Sequence, residues 1–213
     1  MAGHDTGDGI ALAGSVETVV DYFSHAVSSV LYQRGVYPAE SFERTTSHGL
    51  ALMRASEATL CRYLEQVLSQ VRAWLTTGQA RRLVLVVNGV DSGNTLERWV
   101  FLVEAAGDKE NAAGAAAGAA AAAPKSQKEI AKEVQAIIRQ ITSSVTFLPL
   151  LDEPCTFDLL VYADSNGLTV PGSWEDSNPC AIGDASEVQL RSLATNEHRV
   201  ETLVAYRNQE FGA

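Results

Sequence analysis

Apolar residues recur at intervals of three and four through Val16, Val19, Val20, Phe23, Val27, Val30 and Leu31. That is the period of an amphipathic helix. Ser15 stands where a side-chain cap would open it, and Gly35 followed by Pro38 marks its end. "SFERTTSHGLALMR" (41–54) is Thr-rich and broken by glycine, and predicts a small hairpin. A second helix is expected from Ser56, with Glu57 in its first turn. Its stripe is Leu60, Tyr63, Leu64, Val67, Leu68, Val71, Trp74 and Leu75, and Gly78 closes it.

"RRLVLVVNGV" is the near-continuous apolar run of a central strand, and "TLERWVFLVEA" returns beside it after the turn "DSGN". Residues 105–125 are alanine-rich, with no large side chain to bury, and read as a mobile loop without an assigned role, a partly helical run being the alternative. The third helix opens with the capping-box spacing Ser126 to Glu129 and carries Ile130, Val134, Ile137, Ile138 and Ile141. Arg139 and Gln140 interrupt that apolar set. After a polar break at Thr142, Ser143 and Ser144, "VTFLPLL" and "TFDLLVYAD" both predict strands.

The remainder is turn-rich ("DSNG", "PGSWEDSNP"), with two further strand candidates, "EVQLRSL" and "RVETLVAY". The second carries apolar groups on both faces, so its pairing register is weakly specified. The expected class is α+β: three helices packed on a central antiparallel sheet, followed by a strand-and-loop segment.

Composition narrows the function classes. A length of 213 residues fits one domain with a full core. A net charge of −10 opposes non-specific nucleic-acid binding, which needs a basic surface. The N-terminal residues lack a signal-peptide pattern, and no apolar run reaches membrane-spanning length. Cys61, Cys155 and Cys180 are odd in number and widely spaced, which suits a reducing compartment. Neither a P-loop, nor GxSxG, nor HExxH occurs, and the four histidines (4, 25, 48, 198) show no metal-ligand spacing. His25 reads as a boundary residue of the first helix. The expectation is a non-enzymatic protein without metal or cofactor. A small acidic enzyme with a dispersed site is the alternative from another class.

"GSVETVVDYFSHAVSSVLYQRGVYPAESF", "LERWVF", "IIRQITSSVTFLPLL", "FDLLVYADSNGLTVPGSWE" and "EVQLRSL…VAY" occur in that order. Together they resemble the HORMA-domain family, and specifically its spindle-assembly-checkpoint branch. The resemblance implies a HORMA domain over 9–206: a core of about 12–164, a C-terminal safety belt of about 165–206, and tails at 1–8 and 207–213. It implies an open and a closed fold, the belt of the closed form pinning an extended partner peptide against a sheet edge, so that anaphase is delayed until chromosomes attach.

The implied partners are the coiled-coil kinetochore receptor mitotic arrest deficient protein one and the cell-division-cycle activator of the anaphase-promoting complex. Further partners are checkpoint-kinase-related subunits of the mitotic checkpoint complex, a AAA+ remodelling ATPase with its HORMA adaptor, and a second copy in an open/closed self-dimer. The implied location is nucleus and cytoplasm, with kinetochore and spindle in mitosis. An adaptor for DNA repair or meiosis is the alternative within the superfamily.

Residue by residue, the resemblance makes Phe157, Asp158, Leu159, Leu160, Val161 and Tyr162 the peptide-binding edge strand. The belt takes Trp174, Val188, Leu190, Val200, Val204 and Tyr206, with Trp174 either a latch or a buried anchor. The dimer interface takes Arg139, Gln140, Thr146, Phe147 and Arg191.

Overall fold

The protein is described by a computed structural model over residues 6–105, 125–164 and 166–208, with residues 6–10 by backbone alone. Helix α1 spans Thr6–Gln33. It therefore begins well before Ser15, which is buried inside it instead of capping it. Leu12 packs on the core and prolongs the apolar stripe, and the Ser15 hydroxyl is drawn to a distant partner described below. The end follows the sequence pattern. Gly35 takes φ +65°, and Val36 N–H reaches back to Leu31 C=O at 3.1 Å, a glycine-terminated cap.

The predicted hairpin is present as β1 (Phe42–Ser47) and β2 (Leu50–Ala55). Helix α2 is Ala58–Thr76. Ser56 lies outside it, and Glu57 is itself the N-cap. Its carboxylate accepts from Thr59 and Leu60 N–H, so the orphan donors of the first turn are met by a side chain. The two bonds hold the Glu57 carboxyl below its ordinary range.

Strands β3 (Ala80–Gly89) and β4 (Thr95–Ala105) pair antiparallel as expected. Helix α3, Gln127–Ser144, opens with the full Ser126–Glu129 capping box. The expected strand "VTFLPLL" does not form. Thr142–Ser144 stay helical, and Thr146, Phe147 and Leu148 N–H bond back to Ser143 and Ser144. This tightening consumes the donors a strand would need, and Pro149 has none to offer.

Strand β5 is Cys155–Ala163. β6 (Ala185–Gln189), β7 (Leu193–Ala194) and β8 (His198–Arg207) complete the sheet, so the single strand expected at "EVQLRSL" is broken near Leu190. The main order is β5-β3-β4-β8-β6, with β7 also on β8.

Period-two alternation divides the sheet into two faces. Leu83, Leu85, Trp99, Phe101, Leu159, Val200 and Val204 meet the three helices in the main core. Val84, Val86 and Val100 form a smaller cluster on the opposite face, joined by Leu160, Tyr162 and Leu203. The two-faced apolar pattern of β8 thus belongs to an inner strand, paired with β4 and β6.

Candidate functional site

β5 is the sheet's end strand and pairs with β3 alone among the described strands. The Leu159 N–H points away from β3 and donates to the Tyr63 hydroxyl at 3.3 Å. By the alternation of an antiparallel ladder, the Phe157 and Val161 amides face the same open edge. Such an edge is a template for one more strand. Phe157 is held edge-on between Tyr37 and Tyr63, at 5.8 and 5.6 Å between ring centres. Leu159 is buried, whereas Asp158 is exposed and accepts from the Asn88 amide at 3.1 Å. Tyr162 carries the Arg82 guanidinium over its ring on the far face.

The chain leaves β5 at one border of the sheet and re-enters it as β6 at the other. On the way it passes the open edge. Asp164 N–H bonds to Gln79 C=O, and the Gln79 amide donates to Asn166 C=O. Leu168 and Trp174 pack on the helix side of the sheet, whereas Cys180 packs on the opposite face. Residues 166–184 therefore cross from one face to the other around the rim of β5. Their firmest hold is aromatic: Trp174 meets Trp74 of α2 edge-on at 5.0 Å, and Trp74 Nε1–H donates to Thr169 C=O at 3.4 Å.

Between this segment, α2 and the β5 edge lies a cleft of about 350 Å³, lined by residues that include Tyr63, Val67, Leu159, Trp174, Asp158 and Glu175. Tyr63, expected on the buried stripe of α2, is 37% exposed and stands at this cleft. Burial raises its phenol above the ordinary value, so it is a neutral hydrogen-bonding group there.

The rest of the C-terminal segment is locked into the sheet. Val200 and Val204 are fully buried, Leu190 is buried, and Val188 and Tyr206 pack against the core. Three polar contacts tie β8 and its preceding turn to α1. Ser15 Oγ lies 2.6 Å from both His198 Nδ1 and Thr195 Oγ1, and Tyr22 and Thr202 share a buried hydrogen bond of 2.7 Å.

The expected interface residues divide into exposed and engaged groups. Arg139, Thr146 and Arg191 are exposed, and Phe147 is 44% exposed. Gln140 is half-buried, and its side-chain carbonyl accepts from Arg191 N–H at 2.8 Å. It thus ties α3 to the break between β6 and β7, beside Glu133, which accepts from Ala194 N–H.

One structural centre escaped the sequence reading. Arg34, just past α1, pairs with Glu97 of β4 at 2.5 Å, the two side chains being 5% and 2% exposed. It also donates to Pro149 C=O, and Trp99 Nε1–H occupies the second Glu97 oxygen at 3.0 Å. The sequence offered little outward signal: Arg34 sits in "LYQRG" and Glu97 in "LERW", far apart along the chain, and "FLPLL" contributes only a main-chain carbonyl.

A six-stranded sheet backed by three helices, with its last strands returned to the border opposite a bare edge, defines a known class of domain. The HORMA domain profile matches residues 15–198. The chain belongs to the HORMA-domain family and, within it, to the Mad2 spindle-checkpoint proteins. It is 46% identical to mitotic spindle assembly checkpoint protein MAD2A of Dictyostelium discoideum and 45% identical to MAD2A of Homo sapiens, each alignment covering 93% of both chains. It superimposes on a chain of a crystal structure of the mitotic checkpoint complex with a TM-score of 0.80 and 40% identity, over 92% of this chain and 99% of that one. HTP-2 of C. elegans bound to a HIM-3 closure motif gives a TM-score of 0.72 at 16% identity, over 93% and 92%, and shows the shared fold.

Proposed function

We propose that this chain is a non-enzymatic adaptor of the mitotic spindle checkpoint that traps an extended partner segment as an added strand on β5, under residues 166–184. The observation that carries this reading is the open β5 edge facing a cleft already bordered by the crossing segment. Main-chain hydrogen bonds along such an edge supply affinity, and alternate side chains supply selectivity. The incoming carbonyl takes the Leu159 N–H from the Tyr63 hydroxyl. Apolar side chains fill the space beside Val67, Leu159 and Trp174, and a basic one answers Asp158 and Glu175.

The arrangement corresponds to the closed form of the family, with the belt divided into a crossing part at 166–184 and an anchored part in β6–β8. Its expected ligands are segments of the anaphase-promoting complex activator and of mitotic arrest deficient protein one, met at kinetochores during mitosis. The surface of Arg139, Thr146, Phe147 and Arg191, with Gln140 supporting it from below, recruits a second copy. A dispersed enzyme site gains little support: burial raises the Cys61 and Cys155 thiols, opposite to what a thiolate nucleophile requires.

Calorimetry with a synthetic segment of the activator tests the reading. One-to-one binding is expected, together with its loss when the segment's edge-facing main-chain amides are N-methylated. Equal binding by the methylated peptide contradicts strand addition. Capture of a translesion-polymerase subunit peptide in place of the activator's reassigns the chain to the repair branch.

A further inference from the structure

Away from the β5 edge, the fold brings together three side chains that the sequence left scattered. Asp21 and His25 lie four residues apart on α1, hence on one helix face. His48 is at the tip of the β1–β2 hairpin, where His48 and Gly49 have φ of +49° and +72°. Positive φ at both central residues is the two-residue hairpin turn that matches strand twist, and it sets the His48 ring over α1. From the opposite side, the Gln135 amide of α3 donates to His48 C=O and fixes the turn.

The geometry points to a site for one divalent transition-metal ion of the zinc class at Asp21, His25 and His48. One ligand atom from each residue falls within a common 4.8 Å. The Asp21 carboxylate already addresses both rings, one oxygen 2.6 Å from His48 Nε2 and the other 3.4 Å from His25 Nε2. The rings stand edge-to-face at 5.8 Å, which leaves room between them. Two imidazoles and one carboxylate are ordinary zinc donors at about 2.0–2.2 Å, and three protein ligands leave a fourth position for solvent.

A second observation comes from His25 itself. Its side chain is 7% exposed, yet Nδ1 has no hydrogen-bond partner among the described residues. The nitrogen that faces Asp21 is Nε2, so the ring can ligate through Nε2 while Nδ1, which no other described group claims, carries the ring proton. On binding, each ring ligates through Nε2 as its Nδ1–H tautomer, and metal–ligand bonds replace the hydrogen bonds between the carboxylate and the rings. The ion would staple the hairpin tip to the middle of α1, far from the cleft.

The test is titration of metal-stripped full-length chain with Zn²⁺, in the presence of a phosphine reductant. One ion per chain and a raised Tm are expected. Asp21→Asn and His48→Asn should each weaken binding by at least tenfold, asparagine being tolerated at the left-handed φ of position 48. Co²⁺ should give a visible ligand-field spectrum without sulfur-to-metal charge transfer, which separates this site from the three cysteines. Absence of stoichiometric binding overturns the proposal, as does wild-type affinity in both variants. NMR of the wild-type imidazole protons decides without any variant: Zn²⁺ shifts at both His25 and His48 support the site, and shifts at neither exclude it.

Discussion

Arg34 shows how a single residue can carry long-range order that its sequence neighbourhood does not reveal. Its guanidinium joins the end of α1 to Glu97 and to the Pro149 carbonyl, so that the turn after α3 is held against β4. Removing one partner of a buried pair leaves the other charge uncompensated, at about 3–5 kcal/mol. Arg34→Ala is therefore predicted to lower the urea midpoint by that equivalent, and Glu97→Gln to do so as well. The pair was not legible because its members are 63 positions apart and neither belongs to a local motif.

His198 makes a different residue-level prediction. Burial holds its imidazole below the ordinary 6.5. The unfolded chain then takes up a proton at higher pH than the folded one, so stability rises with pH across that interval. The contribution is full above about pH 6.5 and declines as pH falls through it toward the folded value. Urea denaturation between pH 7.5 and 5 should show this slope in the wild type and a shallower one in His198→Gln.

At the scale of elements, periodicity and caps were the readable features. The stripe of α3, the β3–β4 turn and the capping box of Ser126 and Glu129 all follow from local spacing. The failures lie where a side chain chose a distant partner over a local one. Ser15 left its capping role for His198 and Thr195, and the residues after Ser144 continued the helix's hydrogen bonding instead of extending.

The crossing segment illustrates the same division. Its turns were legible, but the Trp74–Trp174 contact was not. That contact makes Trp174 both a packing residue and a clasp. An aromatic pair contributes about 0.5–1.5 kcal/mol beyond its buried area, which is about 2- to 12-fold in rate at 1.4 kcal/mol per tenfold. Trp174→Ala is predicted to raise the peptide dissociation rate by at least that factor, measured by surface plasmon resonance. An unchanged off-rate would show that the segment does not retain the ligand.

The whole molecule adds what no stretch of sequence contains, the order of its strands. β8 has apolar groups on both faces, and its pattern permits pairing on more than one edge. In this fold it pairs with β4 and β6, which leaves β5 bare. If peptide capture drives the arrangement from 1:99 to 99:1, it must favour this form by about 5.5 kcal/mol.

The surface proposed for self-association, on α3 and the turn after it, is separate from the β5 edge. Arg139→Glu, at an exposed position, is predicted to abolish self-association in sedimentation experiments while sparing peptide binding. Gln140→Ala is a less selective probe, because it also removes the bond to Arg191 N–H. The central claim concerns the β5 edge, and residue-resolved amide exchange with and without the activator segment tests it most directly. The account predicts strong new protection at Phe157, Leu159 and Val161, with added protection across 166–184. Tight binding that leaves those three amides exchanging as in the free protein would contradict it.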